Sequence, residues 1–361
     1  EYIYEQTKDK KRVVIGGSHG KTSITAMTLH VLQKAKFDVD YMVGAQLAGF
    51  DTMVKLTDEA DIVILEGDEY LSSPIDLRPK FHLYYPHIAV LSGIAWDHIN
   101  VFPTFKNYVK QFQIFVDKIE ERGTLIYFDK DDNAKKIGER FKYNKEPYNV
   151  HPNICKDGIT YLIDNGETYP LLIFGDHNLQ NLNASLKICL SLGLSKEIFY
   201  KNIQSFKGAS KRLELVEKNN TSNIYKDFAH SPSKLKATSS AVKKQFTKRK
   251  LVACMELHTF SSLNQDFLNE YANTMDLPDE AYVYFNPATI SHKKLKKISK
   301  EQVFNCFKRN DLKVFTDSDT LINELKSKNW SNTNLLLMSS GDFDGVDFNN
   351  LAVHLLKSKT I

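Results

Sequence analysis

The stretch RVVIGGSHGKTSITA, residues 12–26, decides how this 361-residue chain is read. Val13, Val14 and Ile15 make an apolar, β-branched run suited to a buried strand. The run breaks at Gly16-Gly17, passes through Ser18-His19-Gly20, and reaches Lys21-Thr22-Ser23 at the mouth of a segment with a helix-like spread of Ile24, Met27, Leu29, Val31 and Leu32. That order is the layout of a phosphate cradle. Glycines let backbone N–H groups converge on one anion, the helix start adds partial positive charge, and a lysine neutralises terminal phosphate oxygens. The ordinary alternative is a strand-to-helix turn whose glycines only relieve crowding. Gly-Lys-Thr placed directly between strand and helix favours a nucleoside triphosphate site formed by Gly17, Ser18, His19, Gly20, Lys21, Thr22 and Ser23, with the Thr22 hydroxyl as a Mg²⁺ ligand.

Outward from the cradle, apolar runs at 41–43, 62–65 and 88–91 alternate with helical or polar segments, which predicts a mostly parallel sheet covered on both faces. Ligands in such sheets lie beyond the carboxyl ends of the strands. Two strand ends carry chemistry: EGDEY at 66–70 and AWDH at 95–98. If both strands flank the cradle strand, Glu66 and His98 face the triphosphate as metal ligands, the plain alternative being ordinary turn residues. The pattern next predicts helices over 105–119 and 130–140, a strand over 124–128, and a small antiparallel patch over 149–174 with Asp157-Gly158 and Asn165-Gly166 as turns. A helix follows with Asp176 as N-cap, a stripe of Leu179, Leu182, Leu186 and Leu190, and Asn178 and Asn181 on its first turns. An amide there caps the helix or reads an adenine edge. The segment 206–212 reads as a linker into a second α/β series, with strands near 213–216, 224–225, 251–254, 281–285, 313–315 and 335–338.

Composition excludes several classes. A net charge of +4 gives no nucleic-acid surface, and the lysines of 243–250 and 293–300 read as solvated helix faces. Cys155, Cys189, Cys254 and Cys306 form no C-x-x-C pair and read as reduced core residues of a cytoplasmic protein. The apolar segment 81–96 is interrupted by His82, Pro86 and His87, so no membrane insertion is expected.

Five segments, in order, resemble the Mur ligases: GGSHGKTS (16–23), EGDEY (66–70), WDH (96–98), GDHNLQNLNAS (175–185), and KRLELV (211–216) followed by KDFAHSP (226–232). Within that family, RPKFHLYYP (78–86), WDHINVFP (96–103), DEAYVYFNPATI (279–290) and MSSGDFDGV (338–346) are most similar to the branch that adds a murein tripeptide. The resemblance implies an α/β chain: a P-loop central ATP-binding domain over 1–208, with a mostly parallel sheet and a small antiparallel patch, then a Rossmann-like C-terminal domain over 209–361. It also implies that an N-terminal UDP-sugar domain is absent here. The implied activity is ATP- and Mg²⁺-dependent ligation of UDP-N-acetylmuramate to a peptide or amino acid through an acyl phosphate, in peptidoglycan recycling.

Carried over by position, the resemblance makes Lys21 and His98 catalytic, Thr22, Glu66 and His98 metal ligands, and Asn178, Asn181, Arg212, Asp227 and His230 further nucleotide contacts. The chain departs from the pattern in five places, one being Lys226, which stands where an acid often precedes Asp227. KQFQ at 110–113 offers no obvious carbamylated lysine, Ser231 replaces a second histidine, ELHT at 256–259 stands in place of an EPRSN-like segment, and Asp342 and Asp344 replace glycines. Three other readings stay open: a UDP-N-acetylmuramate–L-alanine ligase, a simple P-loop NTPase or kinase, and a non-catalytic nucleotide-binding subunit. Sequence does not fix the oligomeric state.

Overall fold

Residues 12–16 of the cradle strand are all buried, because the strand lies in the middle of a seven-stranded sheet covered on both faces. The computed structural model describes residues 1–46, 50–97 and 99–357. It divides into two units, Glu1–Ser210 and Lys211–Ile361.

The first unit runs α1 (Tyr2–Glu5), β1 (Lys11–Gly16), α2 (Lys21–Lys34), β2 (Asp40–Met42), β3 (Val54–Lys55), β4 (Ile62–Glu66), β5 (Ile88–Leu91), α3 (Phe105–Asp117), β6 (Thr124–Phe128), α4 (Asp132–Arg140), β7 (Asn144–Tyr148), β8 (Asn153–Lys156), β9 (Ile159–Asp164), β10 (Glu167–Leu171), α5 (Asp176–Ser191) and α6 (Lys196–Ile203). The sheet order is β3-β2-β4-β1-β5-β6-β7. All its pairings are parallel except that of the short edge strand β3. Both strands with chemical ends, β4 and β5, therefore flank β1. Alternate residues of β1 serve different cores. Val13 and Ile15 pack with residues of α2, α5 and α6, while Val14 packs with Tyr108, Phe112 and Phe115 of α3 and Ala134 and Ile137 of α4. β8, β9 and β10 form the expected antiparallel patch.

Arg12, just ahead of that apolar run, is among the largest fully buried side chains. Its Nε donates to the Tyr85 carbonyl, its Nη1 to the carbonyls of Thr7, Lys8 and Lys10, and its Nη2 to Glu120 at 2.8 Å. The guanidinium also lies over the Tyr4 ring. One side chain thus ties the N-terminal turn to the base of the sheet.

The second unit runs β11 (Glu214–Lys218), β12 (Asn223–Asp227), α7 (Pro232–Gln245), β13 (Lys250–Leu257), β14 (Glu280–Phe285), α8 (Pro287–His292), α9 (Lys300–Phe307), β15 (Lys313–Phe315), α10 (Ser318–Ser327), β16 (Thr333–Met338) and α11 (Phe348–Lys357). Its six strands lie in the order β11-β12-β16-β13-β14-β15. Only β11 is antiparallel to its neighbour. Val252, Cys254, Leu335 and Leu337 face α10 and α11, and α7 packs on β13 and β16. Both units are the α/β architecture that the sequence predicts.

Several local expectations need correction. Gly175, not Asp176, is the N-cap of α5: the backbone turns there with φ of 92°, a conformation that favours glycine, and Asp176 becomes the first helical residue. Its carboxylate still favours the helix start electrostatically. Cys155 is exposed on the edge strand β8 and Cys306 is half-buried, so only Cys189 and Cys254 are core residues. The linker is shorter than read, since Phe206 and Ala209 pack into the first unit's core. Lys250 opens a strand, and residues 294–299 connect two helices, so those lysines are only partly on helix faces. Among the described residues no helix is long and apolar enough to cross a membrane.

Candidate active site

The loop between β1 and α2 is clamped to the end of β5. Ser92 N donates to the Gly16 carbonyl, Ser18 N to the Gly93 carbonyl, and the Ser92 hydroxyl to the His19 carbonyl. This close approach demands glycine twice. A Cβ on Gly17 (φ +138°) would lie 2.1 Å from Ser92 Oγ, and one on Gly20 (φ +76°) would lie 2.2 Å from Asn181 Oδ1. Gly20 is the N-cap of α2 and brings no side-chain cap, which leaves the first-turn N–H groups suited to an anion.

Several of the candidate side chains converge on this loop. Lys21 Nζ, 2.5 Å from Glu69 Oε2, also donates to the Gly17 carbonyl at 2.7 Å. Burial is the largest single influence and lowers the lysine's pKa, but the carboxylates of Glu69, Glu66 and Asp68 together raise it. The Thr22 hydroxyl donates to Glu66 Oε1 at 2.8 Å, while Gly44 N donates to Glu66 Oε2 at 2.9 Å. The Tyr108 hydroxyl, from α3, lies 3.1 Å from Glu69 Oε1 and 3.0 Å from Ser18 Oγ. Burial, with Glu69 nearby, holds its pKa well above the usual phenol value.

Thr22 and Glu66 offer adjacent hard oxygens beside the loop, a donor set that fits Mg²⁺. Among the described residues no group of three or more His, Cys, Asp or Glu side chains could hold a metal by itself. His98, the other expected ligand, lies outside the described residues.

Asn178 and Asn181 are both buried on α5. Asn178 Nδ2 donates to the Phe174 carbonyl at 2.9 Å, and Asn181 stands against Gly20. In the second unit, Arg212, Asp227 and His230 gather at the end of β12. Arg212 lies over the Phe228 ring, and His230 Nδ1 is 2.8 Å from the Phe228 carbonyl. Asp227 accepts from Leu213 N on one oxygen and from Ala229 N on the other, so it also fixes the local backbone.

Sequence reading missed Glu69, Tyr108 and Ser92 as parts of the site. Glu69 sits in the same acidic segment as Glu66, a signal that was available. Tyr108 reads as one more aromatic on the buried stripe of α3. Only the fold reveals what its hydroxyl meets.

A second buried acid organises the departure at 256–259. Glu256, at 1% exposure, accepts from the Ser339 hydroxyl and from Phe343 N (2.9 Å) on Oε2, while His258 Nδ1 lies 3.3 Å from Oε1. Phe343 and Asp344 both take positive φ. Tyr284 and Asn286 donate to the Asp344 carboxylate. The hydrogen bond that His258 makes to Glu256, with the charges of Glu256 and Asp342, raises the His258 pKa against the lowering by burial and Lys293. Because the folded value is raised, this contribution to stability is complete below the ordinary histidine pKa of about 6.5 and fades as pH rises through the folded value. Amide-exchange protection of Phe343, corrected for intrinsic rate, is therefore expected to fall above about pH 6.5 and to lose that dependence in His258→Asn.

Comparison with known proteins matches residues 15–189 to the Mur ligase middle domain and residues 211–341 to the Mur ligase glutamate ligase domain. A UDP-N-acetylmuramate–L-alanine ligase of Caldicellulosiruptor bescii is 32% identical over 302 residues, covering 78% of this chain and 63% of its own length. Another of that name, from Roseiflexus sp., is 23% identical over 347 residues, covering 86% of this chain and 70% of its own length. The chain thus spans about two thirds of these curated relatives. Among solved structures, a murein peptide ligase from Psychrobacter arcticus has a TM-score of 0.67 at 21% identity, covering 100% of this chain and 80% of its own. The UDP-N-acetylmuramate-alanine ligase of Thermotoga maritima has a TM-score of 0.70 at 17% identity, covering 98% and 77%; at these identities the likeness is one of fold. Members of the Mur ligase family are ATP-dependent ligases that form C–N bonds. With both domains matched in order and the loop, strand ends and sheets arranged as described, the chain belongs to the Mur ligase family.

Proposed function

We propose that this chain carries the ATP-using and C-terminal parts of a ligase that joins UDP-N-acetylmuramate to the murein tripeptide L-alanyl-γ-D-glutamyl-meso-diaminopimelate. The observation that carries the ATP chemistry is the convergence of Lys21, Thr22 and Glu66 on a glycine loop clamped to β5. A carboxylate is a poor acyl donor. One of its oxygens attacks the γ-phosphorus, the bond to ADP breaks, and an acyl phosphate results. The acceptor amine then attacks the acyl carbon, phosphate leaves, and the amine's excess proton is lost to solvent or a base. Phosphoryl transfer needs positioning and charge neutralisation more than a protein nucleophile. Lys21 neutralises developing charge on the transferred group, Thr22 and Glu66 would hold Mg²⁺, and Asn178 contacts the adenine with Asn181 supporting it. His98 belongs to the same scheme as a second metal ligand. In the C-terminal domain Arg212 contacts phosphate, Asp227 the ribose, and His230 stands beside them. Mg²⁺, when bound, neutralises and orients the phosphates.

The tripeptide acceptor is supported by the segments 78–86, 96–103, 279–290 and 338–346, which resemble the tripeptide-adding branch. A second reading, L-alanine as acceptor, is favoured by the names of the curated relatives. The full-length protein supplied with ATP, Mg²⁺ and UDP-N-acetylmuramate, plus either acceptor, separates the two. The expected result is phosphate release that requires the tripeptide and a product of donor-plus-tripeptide mass less one water. Release that requires L-alanine instead moves the assignment to the second reading. Release that needs no amine marks a simple NTPase or kinase, and nucleotide binding without release marks a non-catalytic subunit.

A further inference from the structure

Glu69 lies three residues beyond the end of β4 and is buried, at 1% exposure, against the phosphate loop. Its Oε2 holds the Lys21 ammonium at 2.5 Å, and its Oε1 lies 3.1 Å from the Tyr108 hydroxyl. The second partner of Lys21 is the loop's own Gly17 carbonyl at 2.7 Å. In this arrangement the lysine that a phosphate needs is engaged by the protein itself.

The charges near the loop sharpen the point. Lys21 pairs with Glu69 and also feels the charges of Glu66 and Asp68, of which Asp68 has its own partner in Lys80 at 2.7 Å. A polyphosphate arriving alone must share one ammonium with Glu69 and sit close to Glu66. Like charges in a partly dehydrated site repel strongly because little water screens them. A divalent cation arriving with the phosphates restores the balance.

We propose that Glu69 is a positioning residue for Lys21 that makes nucleotide binding at this loop conditional on a divalent cation. It keeps the ammonium engaged until an anion carrying its own counter-charge competes for it. Tyr108 moderates the grip by offering its hydroxyl to the other Glu69 oxygen. The inference rests on the loop being a nucleotide site, as proposed above.

Calorimetric titration of the full-length protein with ADP, once in excess Mg²⁺ and once in EDTA, tests it. Wild type is expected to bind ADP far more weakly in EDTA. Glu69→Gln should raise the metal-free affinity about tenfold, which a residue that merely supports the loop would not do. Tyr108→Phe should move it the other way, by about threefold, since the carboxylate then holds Lys21 without a second donor. Glu66→Gln should instead weaken binding in Mg²⁺. Unchanged metal-free affinity in Glu69→Gln, or equal weakening in both conditions, overturns the proposal. So does a rise in Tyr108→Phe, which decides the matter alone if Glu69→Gln fails to fold. Wild type that binds no ADP even in Mg²⁺ refutes the nucleotide site itself, a different failure.

Discussion

Lys21→Ala is expected to lower ATP turnover by the full-length protein about 10²- to 10³-fold, the range for losing one pre-aimed donor to developing negative charge. The loss has two physical sources that measurement can separate. The first is catalytic: the ammonium at the helix start that would meet the transferred phosphoryl group is gone. The second is structural, because Glu69 is left as a buried carboxylate without its ammonium, a situation that destabilises proteins by about 3 to 5 kcal/mol. Pairing Lys21→Met with Glu69→Gln removes both charges. The double variant should recover most of the lost thermal stability while turnover stays low. Near-normal turnover in Lys21→Ala would contradict the role given to this lysine.

Arg12→Ala should be the most damaging single change to the first unit away from the loop, at about 3 kcal/mol or more. Its guanidinium satisfies the carbonyls of Thr7, Lys8, Lys10 and Tyr85 together with Glu120. Alanine would leave a cavity and several desolvated acceptors at once. Arg12→Lys should cost less than alanine, since it restores a charge and one or two bonds but not the planar fork. Glu120→Gln should cost least, because Glu120 is partly exposed and its pairing is screened by water. The order of the three thermal midpoints is the check.

Lys21 and Arg12 stand on opposite sides of what is legible in the sequence. The cradle could be read because its requirements are local: glycines where the backbone passes close to Ser92 and Asn181, and Lys-Thr at a helix start. Glu66 could be read because a strand followed by an acid puts that acid at a carboxyl edge. Glu69 and Arg12 could not, since their partners lie 48 and 108 residues away and nothing local announces them. In KNIQSFKGASKR, Phe206 and Ala209 look like part of a polar connection, and only the neighbouring helices make them core. The strand β7, sequence NKEPY, carries charge and Pro147 and shows no strand signal. It is tolerated as an edge strand, where proline need not donate to a further neighbour. Gly175 took the cap from Asp176 because the backbone there takes φ of 92°, a conformation that favours glycine.

The clamp from Ser92 and Gly93 has an entropic corollary. Fixing one residue's backbone costs roughly 1–2 kcal/mol, and here β5 has already fixed Gly16, Ser18 and His19. A nucleotide reaching this loop meets a preformed receptor, so almost none of its affinity is diverted into ordering the polypeptide.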